Sequence, residues 1–145
     1  MREKTQQKKM HLQTLGIPVH NEDNVWEIRF YTDFAPEFRG FSNDVQDELF
    51  ALLVKLRRFG PQLGRDDVDT LKGSRYANMK ELRFSVADEE WRVAFAFDPM
   101  RKAVLLTGGS KSGIPQRRFY KNLIRVADER FERHLATIVK ERKSK

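Results

Sequence analysis

From Val25 the chain alternates in character. Trp26, Ile28 and Phe30 fall on one side of an extended segment, and Glu27, Arg29 and Tyr31 on the other. Such period-two alternation predicts a half-buried strand. Then the period changes. Val45, Leu49, Leu52, Leu53 and Leu56 recur three and four residues apart, the spacing of one helical face. Ser42 or Asn43 is placed to cap this helix, with Gln46 three residues beyond Asn43 in the manner of a capping box, and Gly60-Pro61 stops it. Residues 61–78 are rich in Gly, Asp and Asn and read as a connecting loop, pinned by Leu63, Val68 and Leu71. Alternation returns in three segments near 79–85, 90–97 and 103–108, with Asp98-Pro99 opening the second turn. Gly108, Gly109 and Gly113 mark an irregular loop that carries Lys111. A last helix spans about 117–141, its apolar stripe formed by Leu123, Ala127, Phe131, Leu135 and Ile138.

The order is strand, helix, loop, three strands, helix. It predicts an α+β fold: a small, mostly antiparallel sheet of about four strands with helices packed on one face. Residues 1–23 are polar and unperiodic. They read as a flexible arm, carrying Lys4, Lys8 and Lys9, ahead of a single domain over 24–145.

Parity sorts the central strands by face. Leu82, Phe84, Trp91, Val93, Phe95 and Phe97 point one way and make the core face. Glu81, Arg83, Arg92, Ala94 and Ala96 point the other way, which predicts a cleft with an alanine floor and charged walls. Folding the segment so that Leu82 faces Val93 sets Arg83 opposite Arg92, and like charges so placed repel. Two readings answer this. In one, each arginine pairs with a nearby carboxylate, Glu81, Asp88, Glu89 or Glu90. In the other, both converge on a phosphate, which their guanidinium forks bind well. Lys111 lies in the loop after the last strand, and Arg117, Arg118, Tyr120 and Lys121 open the final helix beside it. Cations, one carboxylate and one phenol form a set able to cleave RNA without a metal or other cofactor. The chemistry needs a base for the 2′-hydroxyl, cations for the phosphorane charge and a proton for the leaving oxygen.

Composition narrows the partners. The 145 residues hold 28 Lys and Arg against 21 Asp and Glu, a net charge of +7, which suits a polyanion. With no cysteine, disulfide scaffolds, thiolate metal sites and cysteine nucleophiles are excluded. No apolar run reaches the ~20 residues of a membrane span, and the basic N-terminus lacks the apolar core of a signal peptide, so a cytoplasmic protein without membrane contact is expected. GGSKSG at 108–113 lacks the spacing of a Walker loop. Asp66, Asp67 and Asp69 lack the ligand order of a calcium loop, and no metal site is expected.

Three blocks carry a family resemblance: LKGSRYANMKELRF, WRVAFAFDPMRKAVLLTGGSKSG and RRFYKNLIRVADERFERHL. Together they resemble the RelE/ParE toxin superfamily, most closely the HigB-like, phage-derived branch of toxin–antitoxin modules, over about residues 25–139. The resemblance implies a ribosome-dependent endoribonuclease acting on mRNA, with a helix-turn-helix antitoxin encoded beside it as partner. It gives Arg92 the contact to the scissile phosphate. Arg83 or Lys80 takes the role of the preceding strand's basic residue, with Arg83 preferred on parity. Lys111 is the cation after the last strand, and Tyr120 the late aromatic. Glu81 is the candidate base or positioning carboxylate. Lys72, Lys80, Arg117, Arg118 and Lys121 are expected along the RNA. The histidines, His11, His20 and His134, lie outside this face, and Ser110 stands where an acidic residue is expected in the branch. Two further readings stay open: a non-catalytic, gyrase-binding toxin on the same scaffold, and a degenerate nucleic-acid-binding module.

Overall fold

The structure, a computed structural model, describes residues 25–144. The arm expected over 1–23, with its lysines and with His11 and His20, lies outside them. The elements are β1 (Glu27–Phe30), α1 (Phe34–Arg39), α2 (Asn43–Phe59), a 3-10 turn (Gly60–Gln62), β2 (Val68–Thr70), β3 (Met79–Val86), β4 (Glu89–Phe97), β5 (Lys102–Ser110) and α3 (Gln116–Ser144). Five strands form one sheet in the order β1-β5-β4-β3-β2. β1 runs parallel to β5, and all other neighbours are antiparallel.

Local chemistry explains the boundaries. Ser42 caps α2, its Oγ accepting the Val45 N–H at 3.2 Å. The expected Asn43–Gln46 capping box does not form. Gln46 is buried and instead donates to the Phe38 and Phe41 carbonyls, tying α2 to α1. Gly60 ends the helix with φ 55°, and a Cβ there would stand 2.4 Å from the Trp26 indole, so only glycine fits. Ala87 and Asp88, both at positive φ, make the two-residue turn between β3 and β4. Asp98 Oδ1 accepts from the N–H groups of Met100 and Lys102 and shapes the next turn.

The mostly antiparallel α+β architecture stands as expected, with five strands rather than about four. β2 is the added one, hidden in the segment read as loop. Helices cover both faces of the sheet. α1 and α2 close the face bearing Leu82, Phe84, Val93 and Phe95. On the other face, α3 lays Phe119, Leu123, Ala127 and Phe131 over Met79, Ala94, Ala96, Val104 and Leu106. The alanine floor is therefore not an open cleft. Ala94 and Ala96 are fully buried, and their small size lets α3 come close to the sheet. Burial of these apolar side chains is the main force that seats α3.

Candidate active site at the β3–β4–α3 junction

The predicted register is the observed one: Leu82 pairs with Val93 and Arg83 with Arg92. The two arginines then diverge. Arg83 Nη1 reaches Asp69 Oδ2 on β2 at 3.6 Å, and its side chain is 40% exposed. Arg92 turns under α3 and is 4% exposed. Its Nη1 donates to the Trp91 carbonyl at 2.8 Å and to Glu90 Oε1 at 3.4 Å. Its Nε donates to the Tyr120 hydroxyl at 3.2 Å. Each guanidinium is thus answered by a separate carboxylate, and that relieves the facing like charges.

Tyr120 joins three elements. It sits on the second turn of α3, above the β3–β4 pair. Its hydroxyl donates to Glu81 Oε1 at 2.9 Å while accepting from Arg92. Arg92 Nε lies 3.8 Å from the same carboxylate oxygen. Lys111 completes the group: its Nζ stands 5.5 Å from the centre of the Tyr120 ring, a cation–π contact. The Lys111 backbone N–H is held by the Glu90 carbonyl at 2.8 Å, which fixes the loop.

The electrostatics follow from this packing. Glu81 is pushed above the usual carboxylate range because burial disfavours its charge; the Tyr120 hydrogen bond and Arg92 only partly offset this. Tyr120 is raised too, chiefly by burial, so its phenol keeps its proton at neutral pH. Glu90 moves the other way, held down mainly by the Ser85 hydroxyl, which donates to it at 2.6 Å.

Of the residues expected in the site, Glu81, Arg92, Lys111 and Tyr120 come together. Arg83 lies beside them on the same face but engages Asp69. Lys80 points away, its Nζ donating to Thr70 Oγ1 near the β2 edge. Lys72 is exposed in the loop after β2, and Arg117, Arg118 and Lys121 are exposed on the first turns of α3. His134 plays a structural part: its Nε2 lies 2.7 Å from the buried Asp98 Oδ2 and fastens α3 to the β4–β5 turn. Glu90 belongs to the site as well, and of the carboxylates that the sequence offered as partners for the arginines it is one that Arg92 takes. The available signal was parity, since Glu90 and Arg92 are two apart on one strand and share a face. Among the described residues, no cluster of three or more His, Asp or Glu is arranged to hold a metal ion.

A buried guanidinium braced by two carboxylates, with a tyrosine hydroxyl and a lysine above it, is thus set over the inner strands of a small basic α+β protein. The chain belongs to the family described as phage derived protein Gp49-like (DUF891), which matches residues 36–132. Two relatives from Mycobacterium tuberculosis (strain ATCC 25618 / H37Rv) are named as candidate toxins HigB2 and HigB3. The first is 44% identical over 98 residues, covering 67% of this chain and 48% of its own length. The second is 42% identical over 100 residues, covering 69% of this chain and 85% of its own. The chain thus spans about half the length of one relative and most of the other. An arginine-substituted mutant of the E. coli toxin RelE, solved in the free state, shares the fold with a TM-score of 0.51 at 12% identity; the match covers 69% of this chain and 94% of that one.

Proposed function

We propose that the protein is the toxin of a type II toxin–antitoxin pair and cleaves mRNA on the ribosome by metal-independent attack of a 2′-hydroxyl. The family and the two candidate toxins support the toxin reading. The observation that carries the chemistry is the Glu81–Tyr120–Arg92 chain of hydrogen bonds with Lys111 above it.

In this reading Lys111 and the partly exposed Arg83 meet the phosphate. Arg92 lies beneath the Tyr120 hydroxyl as a fixed positive charge, and preorganised charge in a water-poor site stabilises the phosphorane. Tyr120, protonated at neutral pH, is the proton donor to the leaving 5′-oxygen. Glu81 accepts the hydrogen bond of the Tyr120 hydroxyl and so orients the phenol, which keeps its proton. A carboxylate with a raised pKa is also the better base toward the 2′-hydroxyl, directly or through a ribosomal group. Lys72, Lys80, Arg117, Arg118 and Lys121 are assigned to the RNA backbone. The antitoxin, proposed as a helix-turn-helix protein encoded alongside, is the partner that silences the site.

One observation favours a second, non-catalytic reading. Arg92 is 4% exposed and already held by Glu90, Trp91 and Tyr120, as a structural ion pair would be. A gyrase-binding toxin would need no more than this. Cleavage of one mRNA, free and then programmed on ribosomes, separates the two. The catalytic reading expects cuts only on ribosomes, lost in Tyr120→Phe and reduced in Lys111→Ala. Intact mRNA with wild-type protein, together with inhibited supercoiling by gyrase, would establish the second.

A further inference from the structure

Across the first turns of α3 from Tyr120, the sheet has an open margin. β1 pairs with β5 only as far as Phe30 opposite Leu105. The Tyr31 N–H makes the last bond, to the Leu105 carbonyl, and Arg130 Nη1 takes the Leu106 carbonyl at 2.7 Å. β5 runs on to Ser110, paired on its inner side with β4. The Lys111 N–H is bonded to the Glu90 carbonyl, and antiparallel pairs alternate between bonded and non-bonded. That alternation turns the N–H and C=O of Gly108 and Ser110 outward. Among the described residues, no strand meets them there. An edge of this kind is a template for an added strand.

A groove of about 420 Å³ lies along this margin, between Gly108 and Gly109 on one side and Ile114, Phe119 and Leu123 on the other, with Arg118 at its rim. Gly108 answers a packing demand, since a Cβ there would come 2.7 Å from Val93 Cγ2. Gly109 does not: a Cβ there would meet nothing within 4 Å. It sits opposite Arg92 and so faces α3, and its missing side chain leaves the groove open. Ile114 beside it is 43% exposed. The corner is also strongly positive. Arg117 and Arg118 occupy the first turn of α3, which has no acidic residue. Cations are unfavourable at that end of a helix dipole, so an anionic partner would be drawn there.

We propose that this margin seats an extended acidic segment of a protein partner. The segment pairs its backbone with Gly108 and Ser110, buries an apolar side chain against Ile114 and Leu123, and sets a carboxylate against Arg118. Strand addition supplies main-chain hydrogen bonds, and the alternate pocket supplies selectivity. RNA fits the groove less well. Phe119, its one aromatic lining residue, is 8% exposed and the apolar neighbours are aliphatic, so no ring face is offered to a base. The inference rests on the toxin–antitoxin reading, in which the partner is the protein encoded beside this chain.

The test titrates that neighbouring protein onto the isotopically labelled chain and follows amide exchange. The expected result is at least tenfold slower exchange at Gly108 and Ser110. Gly109→Leu, whose Cβ meets nothing within 4 Å, and Arg118→Glu should each weaken binding at least tenfold while leaving the free protein's spectrum folded. Tight binding that leaves Gly108 and Ser110 unprotected, or is unchanged in both variants, overturns the inference and spares the toxin–antitoxin reading. No binding at all overturns both. Protection that instead rises with the chain's own concentration, or only with an RNA oligonucleotide, assigns the margin to a second copy or to RNA and also overturns it.

Discussion

Arg92 and Arg83 face each other across two strands, yet each takes its own carboxylate, and this difference sets what a substitution does. Arg92→Ala removes the cation beneath a buried Glu81. Leaving a buried charge without its partner costs about 3–5 kcal/mol, so this variant is expected to lose much of its stability in a urea titration. Tyr120→Phe removes one hydroxyl and leaves the Glu81–Arg92 charge pair in place, so it is expected to cost less, about 1.5–3 kcal/mol. It is therefore the cleaner probe of function, because loss of activity in a folded Tyr120→Phe chain cannot be blamed on the scaffold. Glu81 adds a pH dependence. Its folded pKa is raised by burial, so the native state favours the protonated form. Its contribution to stability is full below the ordinary carboxylate pKa, near ~4.3, and declines as pH rises through the raised folded value. Thermal denaturation across that window should show the decline in the wild type and a flatter profile in Glu81→Gln; identical slopes would contradict the burial argument.

At the scale of elements, the long periodic segments were legible and the short ones were not. Leu49, Leu53 and Leu56 announce α2, and the alternation from Leu82 to Phe97 announces β3 and β4 with their register. α1 is six residues, FAPEFR, with a proline in its first turn, too short to show a period. β2 has three residues, and only Val68 is apolar. Neither element carries its own signal; both are made by tertiary contact, α1 by burying Phe34 and Phe38. The alanine face misled for a physical reason. Small residues on a strand mark either an open floor or a closely packed helix, and parity does not distinguish them. Four site residues, Glu81, Arg92, Lys111 and Tyr120, were legible, and Glu90 stood among the carboxylates open to the arginines; Asp69 was not, because it reaches Arg83 from β2, the strand that carries no signal of its own. The Gly60 junction offers a test at this scale. Its φ of 55° opposes a side chain, and so does the Trp26 ring, which would lie 2.4 Å from an added Cβ. Gly60→Ala is expected to cost about 1–3 kcal/mol, seen as a lower urea midpoint with an unchanged slope.

Over the whole molecule, the net charge of +7 is not spread evenly in its consequences. Many cations are engaged internally: Arg130 with Glu37 and Leu106, Arg75 with Glu132, Arg83 with Asp69. The first turns of α3 keep Arg117, Arg118 and Lys121 exposed beside both the Tyr120 cluster and the β5 margin. RNA and a protein inhibitor would then compete for one positive corner. Each phosphate contact to single-stranded RNA contributes about 0.7 to the slope of log affinity against log salt. Replacing Arg117 and Lys121 by alanine is expected to lower that slope by about 1.4 in a filter-binding series, with the fold unchanged; an unaltered slope would remove these residues from the RNA path. Among the described residues, no helix is long and apolar enough to cross a membrane.

Cleavage of RNA by 2′-hydroxyl attack at the Tyr120 cluster leaves its signature in the chemical end at the cut. Ribosomes programmed with one mRNA would be treated with the wild type and with Tyr120→Phe, and the 3′ ends of the fragments identified. The expected result is 2′,3′-cyclic phosphate ends with the wild type and intact message with the variant. Ends bearing a free 3′-hydroxyl, or equal cutting by Tyr120→Phe, would contradict it.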